Sequence, residues 1–341
     1  MIKVGVVGFG LAGRVFHAPF IQLVEGFQLA AIMRRSGEPD PAYSSVHFVR
    51  TVDELLADKD IQLVVVATPN DSHYSIACQC LEAGRHVVVD KPFTPTLKEA
   101  EELVALAKKQ QRIITVFQNR RWDGDFKTVK KIIADGSLGR IVIFETHFDR
   151  FRPNLRGTWH EKPVPGMGLL FDLAPHLIDQ ALVLFGTPQA ITADLRKERD
   201  GSVVDDAFDI TFHYPRLRAL LRASPVTAAP GPRYWICGTT GTYTKYGLDP
   251  QEDAMKAGGH PTQQGWGTEP EASWGKLTIA DGVKTIPTVP GNYRGYYENV
   301  RDAILGKAKI AVTPEQALNV MRAMELAIES SAQRRTLDWP S

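Results

Sequence analysis

The chain has 341 residues, of which 40 are Lys or Arg and 39 are Asp or Glu, for a net charge of +1. With 43% hydrophobic and 23% charged residues it has an ordinary globular composition, too evenly charged for a nucleic-acid-binding surface or a polybasic membrane anchor. Its length exceeds the ~250–300 residues at which single cores stop growing, so two domains are expected, and no apolar run approaches the ~18 residues that span a bilayer.

Met1–Val7 lacks the layout of a signal peptide and reads as a first strand. The 3 cysteines are too few for a disulfide framework. Cys78 and Cys80 fall in a helical pattern as structural thiols, with no metal site expected. A cytoplasmic protein is the expectation.

Lys3–Val7 leads directly into Gly8-Phe-Gly10-Leu11-Ala-Gly13, a GxGxxG between a strand and a helix predicted from Leu11 to about Val24. Glycines at this spacing allow a tight turn, close approach of backbone to a pyrophosphate, and helix–strand packing, while the helix N-terminus offers free N–H groups. The second strand, Gln28–Met33, ends in Arg34-Arg35-Ser36 with no acid until Glu38. Two guanidinium groups and a hydroxyl suit a 2′-phosphate better than a ribose 2′-OH, so NADP is expected over NAD.

Thr51–Ala57 reads as a capped helix and Gln62–Ala67 as a buried strand. Thr68 and Asn70 follow it, where they could reach ribose or nicotinamide. Asp71 or Ser72 is the expected cap of a helix running to Ala83. The run His86-Val-Val-Val-Asp90-Lys91-Pro92 is a short buried strand with a carboxylate and an amine at its C-terminal end, where α/β sheets bind ligands. A helix over Leu97–Lys109 and a strand over Ile113–Phe117 complete an alternating pattern, hence a parallel doubly wound sheet.

After Asn119 the character changes. A helix at Phe126–Ala134 is followed by strands at Ile141–Phe148, Ala190–Leu195, Phe208–Tyr214, Ala219–Ala223, Arg233–Cys237 and Leu277–Ala280. Read without intervening helices, they predict an open, mostly antiparallel sheet. Gly247–Trp274 is long for a structureless loop and suggests a functional or interface segment. Helices at Tyr293–Leu305 and Pro314–Ser331 close the chain. The expected fold is α/β, with a Rossmann domain over 1–119 and a substrate-binding and oligomerisation α+β domain over 120–341.

In the second domain Asp172 and His176 are four apart, so on a helix they share a face. A carboxylate beside an imidazole can fix its tautomer for proton transfer. Pro175 must either kink that helix or sit in its first turn, and a structural His–Asp pair is the alternative.

The combination Gly8–Gly13, Ala67-Thr-Pro-Asn70 with His73, Ala83–Pro92 and Asp172–His176 resembles the Gfo/Idh/MocA oxidoreductase family. Within it, Val15–Phe20, Asp90–Thr94, Gln118–Asp123 and Lys245–Asp249 are similar to the NADP-dependent scyllo-inositol dehydrogenase branch. The resemblance implies interconversion of scyllo-inositol and its 2-keto form. Lys91 would be the catalytic lysine, His176 the proton acceptor and Asp172 its partner and polyol contact. The cofactor would lie along Gly8, Gly10, Leu11, Gly13, Arg34, Arg35, Ser36, Thr68, Asn70, His73, Asp90, Lys91 and Asn119.

The resemblance also implies homodimers or homotetramers built on the C-terminal sheet. Two positions depart from the family pattern: Asp90 replaces the usual Glu, and Met167 interrupts a glycine run. Arg120, Trp122, Phe148, Arg152, Trp159 and Tyr234 are candidate pocket residues. Alternative functions are an aldose dehydrogenase of the same family, an NAD-dependent glycosidase, and a non-catalytic nucleotide-binding regulator.

Overall fold

The structure, a computed structural model, describes residues 1–158 and 161–340; Trp159 lies outside the described residues. The first stretch alternates strands and helices. β1 (Ile2–Val7) leads into a helical segment over 11–23, made of a π-helical turn (Gly13–His17) and α1 (Ala18–Leu23). Then come β2 (Phe27–Met33), β3 (His47–Val49), α2 (Val52–Ala57), β4 (Ile61–Val66) and α3 (His73–Glu82). β5 (His86–Val89), α4 (Leu97–Lys109) and β6 (Ile114–Val116) follow.

The remainder begins with α5 (Gly124–Ala134), β7 (Ile141–His147) and α6 (Leu169–Phe185). A run of strands comes next: β8 (Ala190–Arg196), β9 (Ala207–Tyr214), β10 (Leu217–Ala223), β11 (Tyr234–Gly238) and β12 (Gly241–Lys245). The chain ends with α7 (Gln251–Lys256), β13 (Gly275–Ile279), β14 (Gly282–Ile286), α8 (Arg294–Ile304), α9 (Pro314–Gln333) and β15 (Leu337–Asp338).

The chain forms two compact units. One comprises Met1–Asn119, Glu252–Gln264 and Asn292–Leu318; the other Arg120–Gln251, Gly265–Gly291 and Asn319–Ser341. The first unit therefore takes in two later segments, one of which contains α8.

In the first unit six strands run in the order β3-β2-β1-β4-β5-β6, all parallel. The central strands β1, β4 and β5 end in buried, apolar runs because both faces are covered there: Val87, Val88 and Val89 have no exposed surface. Register decides what meets at the sheet's C-terminal edge. Val7 pairs with Val66 and Val66 with Val89, and the Asp90 N–H donates to the Val66 carbonyl at 2.9 Å. Gly8, Ala67 and Asp90 thus leave neighbouring strands on one edge, beside the switch in strand order between β1 and β4 where such sheets bind ligands.

The helix expected from Leu11 forms with one irregularity, the π-helical turn. Pro19 lacks the N–H that an α-helix would give to Val15, and the wider turn ends just before it. Thr51 and Thr96 cap α2 and α4 through their hydroxyls, Thr96 in a capping box with Glu99. The expected cap of α3 does not form. The Ser72 hydroxyl turns back to Thr68 Oγ1 at 2.8 Å and to the Pro69 carbonyl at 2.7 Å, and a 3-10 turn over Asn70–Ser72 comes first.

In the second unit nine strands run β14-β13-β12-β11-β7-β10-β9-β8-β15. All pairs are antiparallel except β10 with β7, as the open, mostly antiparallel sheet predicted. β9 alternates buried and half-buried residues, the pattern of a sheet covered on one face. α6 packs on β9 and β10. On the other side of these strands the side chains are ionic: Arg222 pairs with Asp209 and Glu145, and His147 lies between Glu145 and Asp149.

Gly247–Trp274 is not structureless. It contains α7 and a 3-10 turn over Glu271–Ser273, and the Trp266 indole N–H donates to Gln251 Oε1 at 3.3 Å.

Candidate active site

The glycines after β1 do three different jobs. Gly8 has φ +99°, and a Cβ there would collide with the Ala67 carbonyl. A Cβ on Gly13 would collide with the Gly8 carbonyl. Gly10 differs: a Cβ there would meet nothing within 4 Å, so its bare backbone leaves a space that no protein atom fills. A cradle that packing does not require to be empty, at the start of a helix and on the sheet's ligand edge, fits a dinucleotide pyrophosphate. Leu11, at the start of that helix, is 55% exposed.

After β2 the chain folds over itself. The Arg34 guanidinium lies over Gly37, whose Cβ would sit 2.7 Å from Nη2, and it donates to the Glu38 carbonyl at 2.6 Å. Arg50 donates to the Arg34 and Gly37 carbonyls at 3.2 and 2.8 Å, which fixes the loop. Arg35 and Ser36 are exposed on it. No carboxylate approaches the Arg34 or Arg35 side chain in an ion pair among the described residues. The loop thus presents a guanidinium and a hydroxyl, groups able to hydrogen-bond a phosphate oxygen.

His73, reached from the loop after β4, is fully buried. Its Nδ1 lies 2.8 Å from the Pro92 carbonyl and its Nε2 2.9 Å from the Thr68 carbonyl. Both ring nitrogens are therefore committed to main chain. The ring ties the loop after β4 to the turn after β5 and keeps no polar atom for a ligand. Asn70 and Asn119 are also buried, while Thr68 is half-buried.

Lys91, partly exposed, follows β5. Its backbone N–H donates to Asp90 Oδ1 at 2.7 Å. Burial opposes charge on the Asp90 carboxylate, yet a hydrogen bond from His17 and the nearby charges of His17, Lys91 and His73 hold its pKa below the usual carboxylate value. Asp90 is thus an anion set next to the lysine.

In the second unit α6 carries Asp172 and His176 one turn apart, with Pro175 inside the helix. Its start depends on Gly168, at φ +95°, whose Cβ would lie 2.6 Å from Asp205 Oδ1. Asp205 accepts the Leu170 N–H at 2.8 Å, and burial raises its pKa. Met167 is buried beside this glycine. His176 is 5% exposed and Asp172 half-buried.

One further turn along the same helix face, Gln180 Oε1 accepts from Arg233 and Tyr234, each at 2.9 Å. Arg120, Arg150 and Arg233 surround the Phe148 ring at 4.8, 5.1 and 5.3 Å. Phe148 and Tyr234 are buried, so they back this region. Arg121 and Asp179 form a two-pronged ion pair at 2.8 and 2.6 Å. The sequence reading passed over Gln180, Arg233, Asp205, His17 and Tyr297. His17 lies inside the Val15–Phe20 motif without having been given a role, the others stand in no motif, and Gln180 continues the i, i+4 spacing of Asp172 and His176.

A parallel sheet with a glycine cradle at its ligand edge, carried in one chain with a mostly antiparallel α/β unit, places the protein among Rossmann-fold oxidoreductases. Residues 2–118 match the oxidoreductase family's NAD-binding Rossmann fold, and residues 130–338 its C-terminal alpha/beta domain. The chain belongs to the Gfo/Idh/MocA oxidoreductase family.

It is 46% identical to the uncharacterized oxidoreductase YdgJ of Escherichia coli, over 98% of each chain. It is 40% identical to scyllo-inositol 2-dehydrogenase (NADP(+)) IolW of Bacillus subtilis, over 98% of this chain and 95% of the relative. Among solved structures, the oxidoreductase yvaA of Bacillus subtilis superposes with a TM-score of 0.96 at 40% identity, covering 99% of this chain and 98% of the other.

Proposed function

We propose that the protein is an NADP-dependent dehydrogenase that interconverts a cyclic polyol and its ketone, with scyllo-inositol and scyllo-inosose as the pair. The observation that carries this reading is the Asp90–Lys91 turn on the ligand edge of a sheet whose Gly10 cradle fits a dinucleotide. The full-length similarity to IolW supports the choice of substrate. The first unit binds the dinucleotide and the second holds the polyol.

When bound, the nicotinamide supplies the hydride acceptor or donor. The chain's own residues do the rest. Gly8, Gly10 and Gly13 let the backbone approach the pyrophosphate, and Arg35 with Ser36 binds the 2′-phosphate. Thr68 and Asn70 face the ribose side. Lys91 donates to the reacting oxygen and orients it. His176 takes the hydroxyl proton in oxidation and returns it in reduction, and Asp172 fixes its ring and holds a neighbouring hydroxyl.

The test is absorbance at the reduced-nicotinamide band, with NADP and NAD each offered against scyllo-inositol, myo-inositol, glucose and xylose. Turnover with NADP and scyllo-inositol is the expected result. Turnover only on glucose or xylose would keep the mechanism and make the enzyme an aldose dehydrogenase. Nucleotide binding with no turnover would favour a regulator.

In the same assay, Arg35→Ala should lower kcat/KM with NADP by about 10- to 100-fold, the worth of one hydrogen bond to a charged group. Activity with NAD should hardly change; an equal loss with both nucleotides would remove Arg35 from the 2′-phosphate.

The ionic, half-buried side of the C-terminal sheet is the proposed homo-oligomer surface. Sedimentation should give a dimer or tetramer at low salt, weakened by Arg222→Glu, which places a carboxylate beside Asp209 and Glu145. A cytoplasmic location agrees with thiols Cys78, Cys80 and Cys237, all unbridged.

A further inference from the structure

Asp90 is held from two sides. Its Oδ1 takes the Lys91 backbone N–H at 2.7 Å. Its Oδ2 lies 3.4 Å from His17 Nε2, and His17 Nδ1 lies 2.6 Å from the Tyr297 hydroxyl. His17 and Tyr297 have no exposed surface. Phe117 packs on both, with ring centroids 4.5 Å from His17 and 5.9 Å from Tyr297.

An ionised carboxylate can only accept hydrogen bonds, so the proton on the His17 side of Asp90 sits on Nε2. The other ring nitrogen, Nδ1, is hydrogen-bonded to the Tyr297 hydroxyl at 2.6 Å. A chain of contacts thus runs from Tyr297 through His17 to Asp90. Dinucleotide binding needs no such chain. It is assembled from the π-helical turn after β1, the end of β5 and the late helix α8, which belongs to the first unit.

We propose that His17, backed by Tyr297, is a positioning residue for Lys91: it anchors the Asp90 carboxylate, which anchors the Lys91 amide and fixes how the lysine side chain leaves β5. This rests on the reading that Lys91 takes part in the reaction. Asp90, one methylene shorter than the usual Glu, is oriented here by a partner on another element. The other titratable groups facing it are Lys91 and His73.

The test compares His17→Phe, His17→Gln and Tyr297→Phe, each also combined with Lys91→Met. His17→Phe keeps an aromatic ring against Phe117 and removes both hydrogen bonds. It should lower kcat by about 10- to 100-fold, the scale of a ~1 Å misplacement, with NADP affinity little changed. Without the imidazole, burial raises the Asp90 pKa, so the acidic limb of kcat/KM should move to higher pH. His17→Gln, which keeps a donor, should recover most of the loss, and Tyr297→Phe should show a smaller effect of the same kind.

In the Lys91→Met background these substitutions should add little. A second readout needs no turnover. The rate at which an amine reagent labels Lys91, relative to exposed Lys98 by mass spectrometry, should change in His17→Phe.

Equal losses in His17→Phe and His17→Gln that track melting temperature would make His17 merely structural. So would an undiminished effect in the Lys91→Met background, or an unchanged labelling ratio. If Lys91→Met alone turns over normally, the reading of Lys91 fails, which is seen before any His17 variant is assayed.

Discussion

Lys91→Ala is expected to lower kcat by about 10²–10³-fold, the usual cost of removing one positioned donor to the oxygen on which charge develops. The side chain is partly exposed and its backbone N–H contact to Asp90 survives truncation, so melting temperature should stay nearly constant. NADP affinity should fall far less than turnover. Lys91→Arg separates charge from chemistry. Arginine keeps the positive charge, but its longer planar fork cannot stand where the lysine ammonium donates to the reacting oxygen, so it should restore nucleotide binding and not kcat. Full activity in Lys91→Arg would reduce the lysine to an electrostatic contact; full activity in Lys91→Ala would remove it from the mechanism altogether.

The parts of this site that lie within one motif were legible from the sequence. β4 and β5 each end in an uninterrupted apolar run, Leu63–Val66 and Val87–Val89, because a parallel strand covered on both faces has no polar side to display there. The residues that follow them therefore stand out as the sheet's functional edge. The dinucleotide turn was legible for the same reason, since its glycines adjoin a strand and a helix start.

What escaped was of two kinds. β3, β12 and β14 were missed because their apolar content is slight. β14, Gly282-Val-Lys-Thr-Ile, has four of its five residues exposed, and β3 is three residues with one buried valine. The second kind is partnership at long range. His17 and Tyr297 are 280 residues apart, and each taken alone reads as a core aromatic. His73 was placed at the cofactor because its motif lies there, yet both ring nitrogens are occupied by carbonyls. A motif indicates where a residue lies and not which way its polar atoms point.

Two glycines three residues apart, Gly10 and Gly13, should fail in opposite ways when substituted. A Cβ on Gly13 would press against the Gly8 carbonyl, backbone on backbone, where neither side can yield cheaply. Gly13→Ala should cost on the order of 1–3 kcal/mol by overpacking, read as a melting temperature several degrees lower without nucleotide.

Gly10 has open space where its Cβ would be, so Gly10→Val should melt with the natural protein. Its nucleotide affinity should nonetheless collapse. The valine fills the approach to the pyrophosphate, and losing two backbone N–H contacts to a charged group, at about 1.5–3 kcal/mol each, amounts to about 10²–10⁴-fold in Kd. Calorimetry with NADP on both variants, alongside thermal melts without it, separates the two cases. If Gly10→Val binds NADP normally, the pyrophosphate does not lie on this turn. If Gly13→Ala melts unchanged, the contact to Gly8 relaxes freely and the turn is less tightly built than its geometry implies.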